Sequence, residues 1–395
     1  MPRKRLMTPG PTQVPEAARQ AMAREVIHHR TPEFRALFAE VLAGLKDVFQ
    51  TTSDVVVLSS SGTGGMEAAV VNLVPRGGKA IVLESGVFSR RWADICGRYG
   101  IKVVTVAAPW GQAIKPDDVA RALSEHPNAV AVFGTLMESS TGVGHDVEAI
   151  GRVVAATNAL WVVDGISGVG AMRCLTDAWC IDVLVVGSQK ALMIPPGLAM
   201  LAVSDKAWAQ MERIEPQAFY FDLKLHRAKL HGAAPDTPWT PAHTLVAGLA
   251  ESLKLIRGEG IEAVWRRCEL LSRMSIAGMR AMGLEIFAQR PAAGMTAVSV
   301  PDGVDAGELL ARLETRFGVK LASGQLALKG RIFRLAHFGQ LDELDILATL
   351  AAIELVLDEL GHPVTLGAAA AAASEAIRAA ASLSAESARP LESVN

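Results

Sequence analysis

The feature that most constrains this chain is a regular alternation of short apolar runs and helical segments in its first half. Most of the gaps between the runs hold a segment with helical spacing. The runs are nearly continuous in apolar side chains and lie at residues 54–59, 79–84, 102–107, 129–134, 160–165 and 182–187. Strands that are apolar throughout and joined by helices are typical of a parallel sheet covered on both faces. The pattern therefore predicts an α/β fold with a mainly parallel sheet.

The segments outside this alternation predict the rest of the organisation. Residues 198–204 follow the sixth run too closely for a crossover helix, which predicts an antiparallel strand. Helices are predicted at 15–26 and 32–50. Beyond about residue 255 a different rhythm predicts a smaller α/β unit, with helices at 260–282, 305–317 and 341–360 and strands near 284–288, 296–300 and 331–336.

We therefore divide the chain into four parts. Residues 1–20 form an N-terminal arm, 21–258 a large domain, 259–362 a small C-terminal domain and 363–395 an alanine-rich tail. The low complexity of the tail predicts a helix followed by a loose end, and we assign it no chemistry.

Composition and charge exclude several classes of protein. The chain has 395 residues, half of them hydrophobic, and a formal net charge of -2. This balance gives no electrostatic reason to expect nucleic acid or a membrane surface as a partner. The four cysteines show neither a metal-binding spacing nor a disulfide framework, which suits a reducing compartment. We expect a cytoplasmic protein without a metal site.

Three of the predicted strands end in residues that can carry chemistry. A Ser61–Gly65 segment precedes a helix, Asp164 ends the fifth strand, and Lys190 follows the sixth. In an open parallel sheet, ligands bind beyond the carboxyl ends of the strands, so we expect these residues to meet at one edge. Backbone amides at a helix N-terminus favour a phosphate group.

Each of these features has a simpler interpretation. The glycine-rich segment could be a plain turn or a dinucleotide fingerprint, since Glu84 follows at about the right distance, although Glu67 stands where the third glycine belongs. Asp164 could close an Asx turn, and Lys190 could be a surface charge. Taken together, a lysine, a buried carboxylate and a phosphate anchor are what pyridoxal 5′-phosphate (PLP) requires.

The sequence resembles the class V, fold-type I PLP-dependent aminotransferases, in the alanine/serine–glyoxylate branch. The matches span about residues 7–360, and "GSQKAL" followed by "PPG" is the most specific among them. The other matching segments are "TPGPT", "SSGTGGMEAAVVNLV", "ESSTGV", "VVDGISGVGA", "FYFDLK", "TPWTPA" and "GRIFRLAHFG".

The resemblance implies a role for several residues around the cofactor. Lys190 corresponds to the lysine that forms the Schiff base, and Asp164 to the partner of the pyridine nitrogen. Phe88 falls where an aromatic side chain stacks on the ring, and Ser139 where the ring hydroxyl is bound. The positions on the phosphate side are Ser61, Gly62, Thr63 and Gln189.

Three further positions concern the substrate and the oligomer. Arg334 matches the arginine that takes the substrate carboxylate, a task suited to a bidentate guanidinium. Gly10 matches the glycine beside the substrate. Thr240 matches a residue that reaches the phosphate of the neighbouring subunit, which implies a homodimer with shared active sites. His337 and Cys180 are expected to be structural.

The implied activity is transfer of an amino group from a small amino acid, alanine or serine, to a 2-oxo acid, glyoxylate or pyruvate. Several positions depart from the family pattern, because Leu136-Met137, Phe88, Thr63 and Trp239 replace a common Thr-His, Trp, His and His. A related aminotransferase with a phosphonate, pyridoxamine or ureido amino donor is the alternative. A lyase such as a cysteine desulfurase fits less well, because Gln189 precedes the lysine.

Overall fold

The computed structural model describes residues 4–387 of the chain. In chain order the first elements are β1 (Arg5–Leu6), α1 (Glu16–Met22), α2 (Pro32–Phe49), β2 (Asp54–Leu58), α3 (Gly62–Leu73), β3 (Lys79–Glu84), α4 (Val87–Arg98), β4 (Lys102–Ala107), α5 (Pro116–Glu125), β5 (Ala131–Thr135), β6 (Met137–Glu138), β7 (Val143–Gly144), α6 (Val147–Ala155), β8 (Leu160–Asp164), β9 (Val183–Gly187) and β10 (Ala199–Val203). The remaining elements are α7 (Asp205–Met211), α8 (Leu223–Leu230), α9 (His243–Glu259), α10 (Ile261–Ala281), β11 (Met295–Ser299), α11 (Ala306–Phe317), β12 (Val319–Lys320), β13 (Ala322–Ser323), a 3₁₀ turn (Leu326–Leu328), β14 (Ile332–Ala336), α12 (Glu343–Glu359) and α13 (Ala368–Ser387).

A seven-stranded sheet forms the centre of the molecule, in the order β2-β10-β9-β8-β5-β3-β4. All of its pairings are parallel except those of β10, which runs antiparallel to β2 and β9. The predicted mainly parallel sheet is therefore confirmed, as is the antiparallel strand within 198–204. Two apolar cores, one on each face, cover the sheet, which explains why its strands carry almost no polar residues.

A second sheet, ordered β11-β14-β13 and antiparallel, lies in the C-terminal part. The strand predicted near 284–288 is wrong, because that segment contributes only one isolated bridge, between Ile286 and Val298. It leaves the sheet because the next amide, that of Gln289, donates to the carbonyl of Gly111 instead (2.8 Å).

Two differences concern helices. The first predicted helix ends at Met22 rather than at residue 26, and helices α7, α8 and α9 were not predicted at all. Helix α9 packs on α1 and α2 and supplies buried side chains such as Leu249 and Leu253. Gly260 caps both the end of helix α9 and the start of α10. The sequence therefore carries no separate stop and start signals for the two helices.

The alanine-rich tail forms the predicted helix, α13, which packs against α10 and α12. Ala369 and Ala373 are fully buried there, and small side chains allow this close approach between helices. The loose end predicted beyond this helix falls on residues outside the described range. The division into four parts remains a proposal, and the packing of α13 favours grouping it with the smaller unit.

Glu354 holds the start of this tail. Its buried carboxylate accepts hydrogen bonds from the amides of Gly367 (2.6 Å) and Ala369 (2.9 Å). We expect Glu354→Ala to lower the free energy of unfolding by about 1–3 kcal/mol, because two amide donors, one of them buried, lose their partner. Chemical denaturation would measure this, with Asp358→Asn on the exposed face of the same helix as the control. Equal stability of the two variants would contradict the prediction.

Within residues 4–387 no helix combines the length and the apolar character needed to cross a membrane.

Candidate active site

A cavity opens at the carboxyl ends of the central strands, where β8 ends at Asp164 and β9 leads into Lys190. Because β8 and β9 pair in parallel, both residues leave the sheet at the same edge. The residues that line the cavity are Ser61, Gly62, Thr63, Phe88, Arg91, Met137, Asp164, Ile166, Ser167, Gln189 and Lys190. Seven of these residues, all except Arg91, Met137, Ile166 and Ser167, are among the predicted site positions.

The Lys190 side chain reaches back across the cavity to the N-terminal arm, where its Nζ donates to the carbonyl oxygen of Pro9. Burial lowers the pKa of its ammonium from 10.5 to about 8. The charge of Asp164 opposes this shift, whereas Arg334 and Arg91 add to it. A larger fraction of the amine is therefore neutral near physiological pH than for an exposed lysine.

The Asp164 carboxyl is buried, and its Oδ1 accepts a hydrogen bond from the amide of Ile166 (2.8 Å). Burial raises its pKa from 3.8 to about 7; the charge of Glu138 adds to the rise, and Arg91 and Lys190 oppose it. The nearby positive charges therefore do not offset the cost of burying the ionised form of this carboxyl. A cationic ligand against it would stabilise the ionised form.

The part of the cavity at the start of α3 is suited to an anion. Ser61 caps α3, and its side chain accepts from the amide of Gly64 (3.4 Å). The amides of Gly62 and Thr63, at the first two positions of the helix, have no acceptor within it. Free amides at a helix N-terminus favour a phosphate. The buried Oε1 of Gln189 also has no hydrogen-bond partner in the described chain, but this oxygen is an acceptor and calls for a donor rather than an anion.

These residues fit PLP. The buried carboxylate suits a protonated ring nitrogen, the amine of Lys190 lies beside it, and the start of α3 offers donors for a phosphate. All of these residues line one cavity.

Arg334 lies on β14 of the second sheet and is 6 % exposed. Its guanidinium donates to the carbonyls of Ser323 (2.6 Å) and Ser139 (2.7 Å). Burial lowers its pKa from 12.5 to about 10, and the charge of Glu138 opposes the shift. Ser139 is also buried, and its hydroxyl lies 3.3 Å from that of Ser167. Arg334 and Ser139 thus adjoin the cavity wall without lining it.

Gly10 makes room for Lys190. A Cβ built on Gly10 would lie 2.5 Å from both Cδ and Nζ of Lys190, and the φ of Gly10 is +110°. We expect Gly10→Ala to lower the turnover rate about 10- to 100-fold, because it displaces the lysine. The control is Gly77→Ala, which carries a similar backbone strain (φ +78°) with no atom within 4 Å. Equal losses in both variants would show that strain alone is responsible.

Thr240 is the one predicted site residue that lies away from the cavity, on an exposed loop. The neighbouring Trp239 stacks on Tyr220 at 5.5 Å and contacts Phe219 at 5.2 Å. Phe219 is 79 % exposed. Together Phe219, Tyr220, Trp239 and Thr240 form a surface that we name the aromatic loop patch.

Two charged residues of the site were not predicted. Arg91 lines the cavity, and Glu138, fully buried, accepts from the amides of Phe88 (3.1 Å) and Ser89 (2.8 Å) at the start of α4. Both lie close in sequence to a predicted site residue, Arg91 to Phe88 and Glu138 to Ser139. Their spacing alone carries no signal, because only the packing of α4 against the β6–β7 hairpin brings them to the site.

His337 and Cys180 were expected to be structural. His337 is buried and bonded to the carbonyl of Ala293 (3.0 Å) and to Thr296 (3.2 Å). Cys180 is an exposed free thiol. Neither of them lines the cavity.

Several known proteins are similar to this chain. The aminotransferase class-V family model matches residues 6–336. A "soluble hydrogenase, small subunit" of a Synechococcus strain is 41% identical, over 95% of this chain and 98% of its own. An L-aspartate–glyoxylate aminotransferase of Paracoccus denitrificans is 36% identical (94% and 96%). A serine–glyoxylate aminotransferase of Methylorubrum extorquens is 34% identical (95% and 96%).

The structure is also similar to that of ureidoglycine–glyoxylate aminotransferase from Bacillus subtilis. The TM-score is 0.91 at 26% identity, with 96% of this chain and 99% of the other covered. The fold is therefore that of the fold-type I aminotransferases. The chain belongs to the aminotransferase class-V family, in the branch of the alanine/serine–glyoxylate enzymes, and is a transaminase.

Proposed function

We propose that this transaminase uses PLP to move an amino group from a small amino acid, alanine or serine, to glyoxylate or pyruvate, by a ping-pong mechanism. The observation that carries the proposal is the pairing of Lys190 and Asp164 at adjacent strand ends. Burial lowers the pKa of the lysine to about 8 and raises the pKa of the carboxyl to about 7. A titratable pair of this kind, inside a cavity with an anion-binding end, fits the requirements of the cofactor.

When bound, PLP supplies an electron sink for the pair of electrons left on the substrate Cα after loss of a proton. Lys190 would hold the cofactor, and its amine, once free, would serve as the base for the proton on Cα. The carboxylate of Asp164 would keep the ring nitrogen protonated. Phe88 would contact the ring, and Ser139 would bind the ring hydroxyl.

The remaining contacts would bind the phosphate and the substrate. Ser61, Gly62, Thr63 and Gln189 would bind the phosphate, to which α3 offers free N–H groups and Gln189 its amide N–H₂ group. Arg334 binds the substrate carboxylate, exchanging backbone carbonyl partners for a charged one. Gly10 lies beside the substrate.

We propose that the chain works as a homodimer in which Thr240 reaches the phosphate of the other subunit. The exposed aromatic loop patch supports this, because large apolar side chains are seldom left in water without a partner. The free cysteines of the described chain and its nearly balanced charge support a cytoplasmic setting.

The names of the relatives support glyoxylate as the amino acceptor. They differ in the donor, so a phosphonate, pyridoxamine or ureido amino acid remains the second candidate, favoured by the Leu136-Met137 and Trp239 departures. A lyase is disfavoured because Gln189 precedes Lys190. No cysteine stands in a suitable late loop of the sequence.

A panel of donors with glyoxylate, pyruvate and 2-oxoglutarate as acceptors tests the proposal. We expect alanine or serine to give the highest kcat/KM, with glyoxylate or pyruvate as acceptor and parallel lines in double-reciprocal plots. Turnover only with a phosphonate, pyridoxamine or a ureido amino acid would favour the second candidate. A purified protein that neither contains nor binds PLP would refute the cofactor assignment.

A further inference from the structure

Arg91 is the charged residue of the cavity that the proposed function leaves without a role. It lies one turn after Phe88 on α4, and its guanidinium packs over the Phe88 ring at 5.0 Å from the centroid. Its Nη1 donates to Oγ1 of Thr63 (3.0 Å). Within residues 4–387 Arg91 has no carboxylate within salt-bridge distance. The only hydrogen-bond acceptor of its guanidinium there is therefore a neutral hydroxyl.

The position of this guanidinium is electrostatically unusual. Thr63 lies in the first turn of α3, and the N-terminus of that helix carries a partial positive charge. A cation held against the positive end of a helix is unfavourable unless an anion lies between them. The bond to Thr63 and the contact with Phe88 fix the guanidinium beside the start of α3. The charges therefore call for an anionic ligand between the guanidinium and the helix.

We propose that Arg91 binds the phosphate of the cofactor, together with the start of α3. This inference rests on the proposed use of PLP. A guanidinium matches phosphate oxygens in a planar, bidentate arrangement, and charge-assisted hydrogen bonds of this kind are about twice as strong as neutral ones.

The test compares two ligands that differ only in the phosphate. Full-length protein freed of cofactor is titrated with PLP and with pyridoxal, and binding is followed by absorbance. In the wild type PLP binds more tightly than pyridoxal. In Arg91→Gln we expect the preference for PLP to shrink about 10- to 100-fold, the worth of one or two charged hydrogen bonds. Arg91→Lys, which keeps the charge, should retain part of it.

The matched control is Arg90→Gln, an exposed arginine of the same helix, which should keep the wild-type preference. A general loss of structure would weaken both ligands alike and leave the ratio unchanged, so the ratio separates phosphate binding from stability. An unchanged ratio in Arg91→Gln would overturn the inference. So would a selective loss of turnover with aspartate at unchanged PLP affinity, which would assign Arg91 to a second substrate carboxylate.

The result also separates this inference from the proposed function. A wild-type protein that binds PLP through Lys190 and an Arg91→Gln variant with the same preference would refute the role of Arg91 alone. A wild-type protein that binds neither ligand would refute both.

Discussion

Replacing Lys190 by alanine is expected to lower transamination by at least about a thousand-fold and to abolish cofactor trapping by borohydride. General acid–base catalysis by a positioned side chain contributes about 10²–10⁴ to the rate, and the same residue provides the covalent attachment. No other lysine lines the cavity in the described chain, so no neighbour can take over either role. Steady-state kinetics and mass spectrometry of the reduced protein measure the two effects.

The control for this variant is Lys206→Ala. Lys206 lies at the opposite edge of the same sheet, where its Nζ bonds the carbonyl of Ala159 (2.6 Å) and lies 3.5 Å from Asp182. Its loss should leave both trapping and turnover near wild-type levels. A borohydride label that persists in Lys190→Ala, at any other lysine, would contradict the assignment.

The second large effect is expected for Asp164→Asn, with a loss of turnover of about 10²–10⁴. Asparagine has nearly the same shape and can still accept the Ile166 amide, but it carries no charge to keep a ring nitrogen protonated. Asp182→Asn is the control, since Asp182 is a buried carboxylate at the other edge of the sheet, bonded to the amide of Trp161 (2.9 Å). Equal turnover in the Asp164→Asn variant and the wild type would exclude a role of this charge.

The same substitution should stabilise the protein freed of cofactor. The pKa of Asp164 is about 7 in the folded chain, against the ordinary value of 3.8 that we take for the unfolded chain. Below pH 3.8 the carboxyl is protonated in both states, so it costs nothing. As the pH rises from about 4 to about 7, the unfolded chain ionises first, and the folded state loses about 2–4 kcal/mol of stability.

Asparagine does not titrate, so Asp164→Asn should remove this loss. Its stability should exceed that of the wild type at about pH 8 and equal it near pH 4. Denaturation at the two pH values measures the difference, and saturating PLP should reduce it. A variant that is less stable than the wild type at the higher pH would contradict the assigned burial cost.

Much of the fold could be predicted because strand signals here are strong and local. Every strand of the central sheet follows from a β-rich run, and the antiparallel β10 follows from the short connection after Lys190. The missed elements are those decided by contacts distant in sequence. Segment 284–288 has strand-like composition, yet Gln289 bonds Gly111 rather than continuing a ladder.

The candidate site divides in the same way. Lys190, Asp164 and the Ser61–Gly65 segment stand at strand ends, where sequence order and the parallel arrangement already imply that they converge. Arg91 and Glu138 do not stand at the ends of strands in the central sheet. They belong to the site because α4 packs over the cavity with its N-terminus anchored by the Glu138 carboxylate.

The amino-acid sequence by itself determined the α/β architecture, the family resemblance and the identity of the chemical residues at the strand ends. Periodicity and short connections suffice for this, since they act over a few residues. Only the tertiary structure decided how the charges meet, because burial and distance depend on the whole fold. The closeness of Gly10 to Lys190, the shifted pKa values of Lys190 and Asp164, and the position of Arg91 against the positive end of α3 all arise at that level.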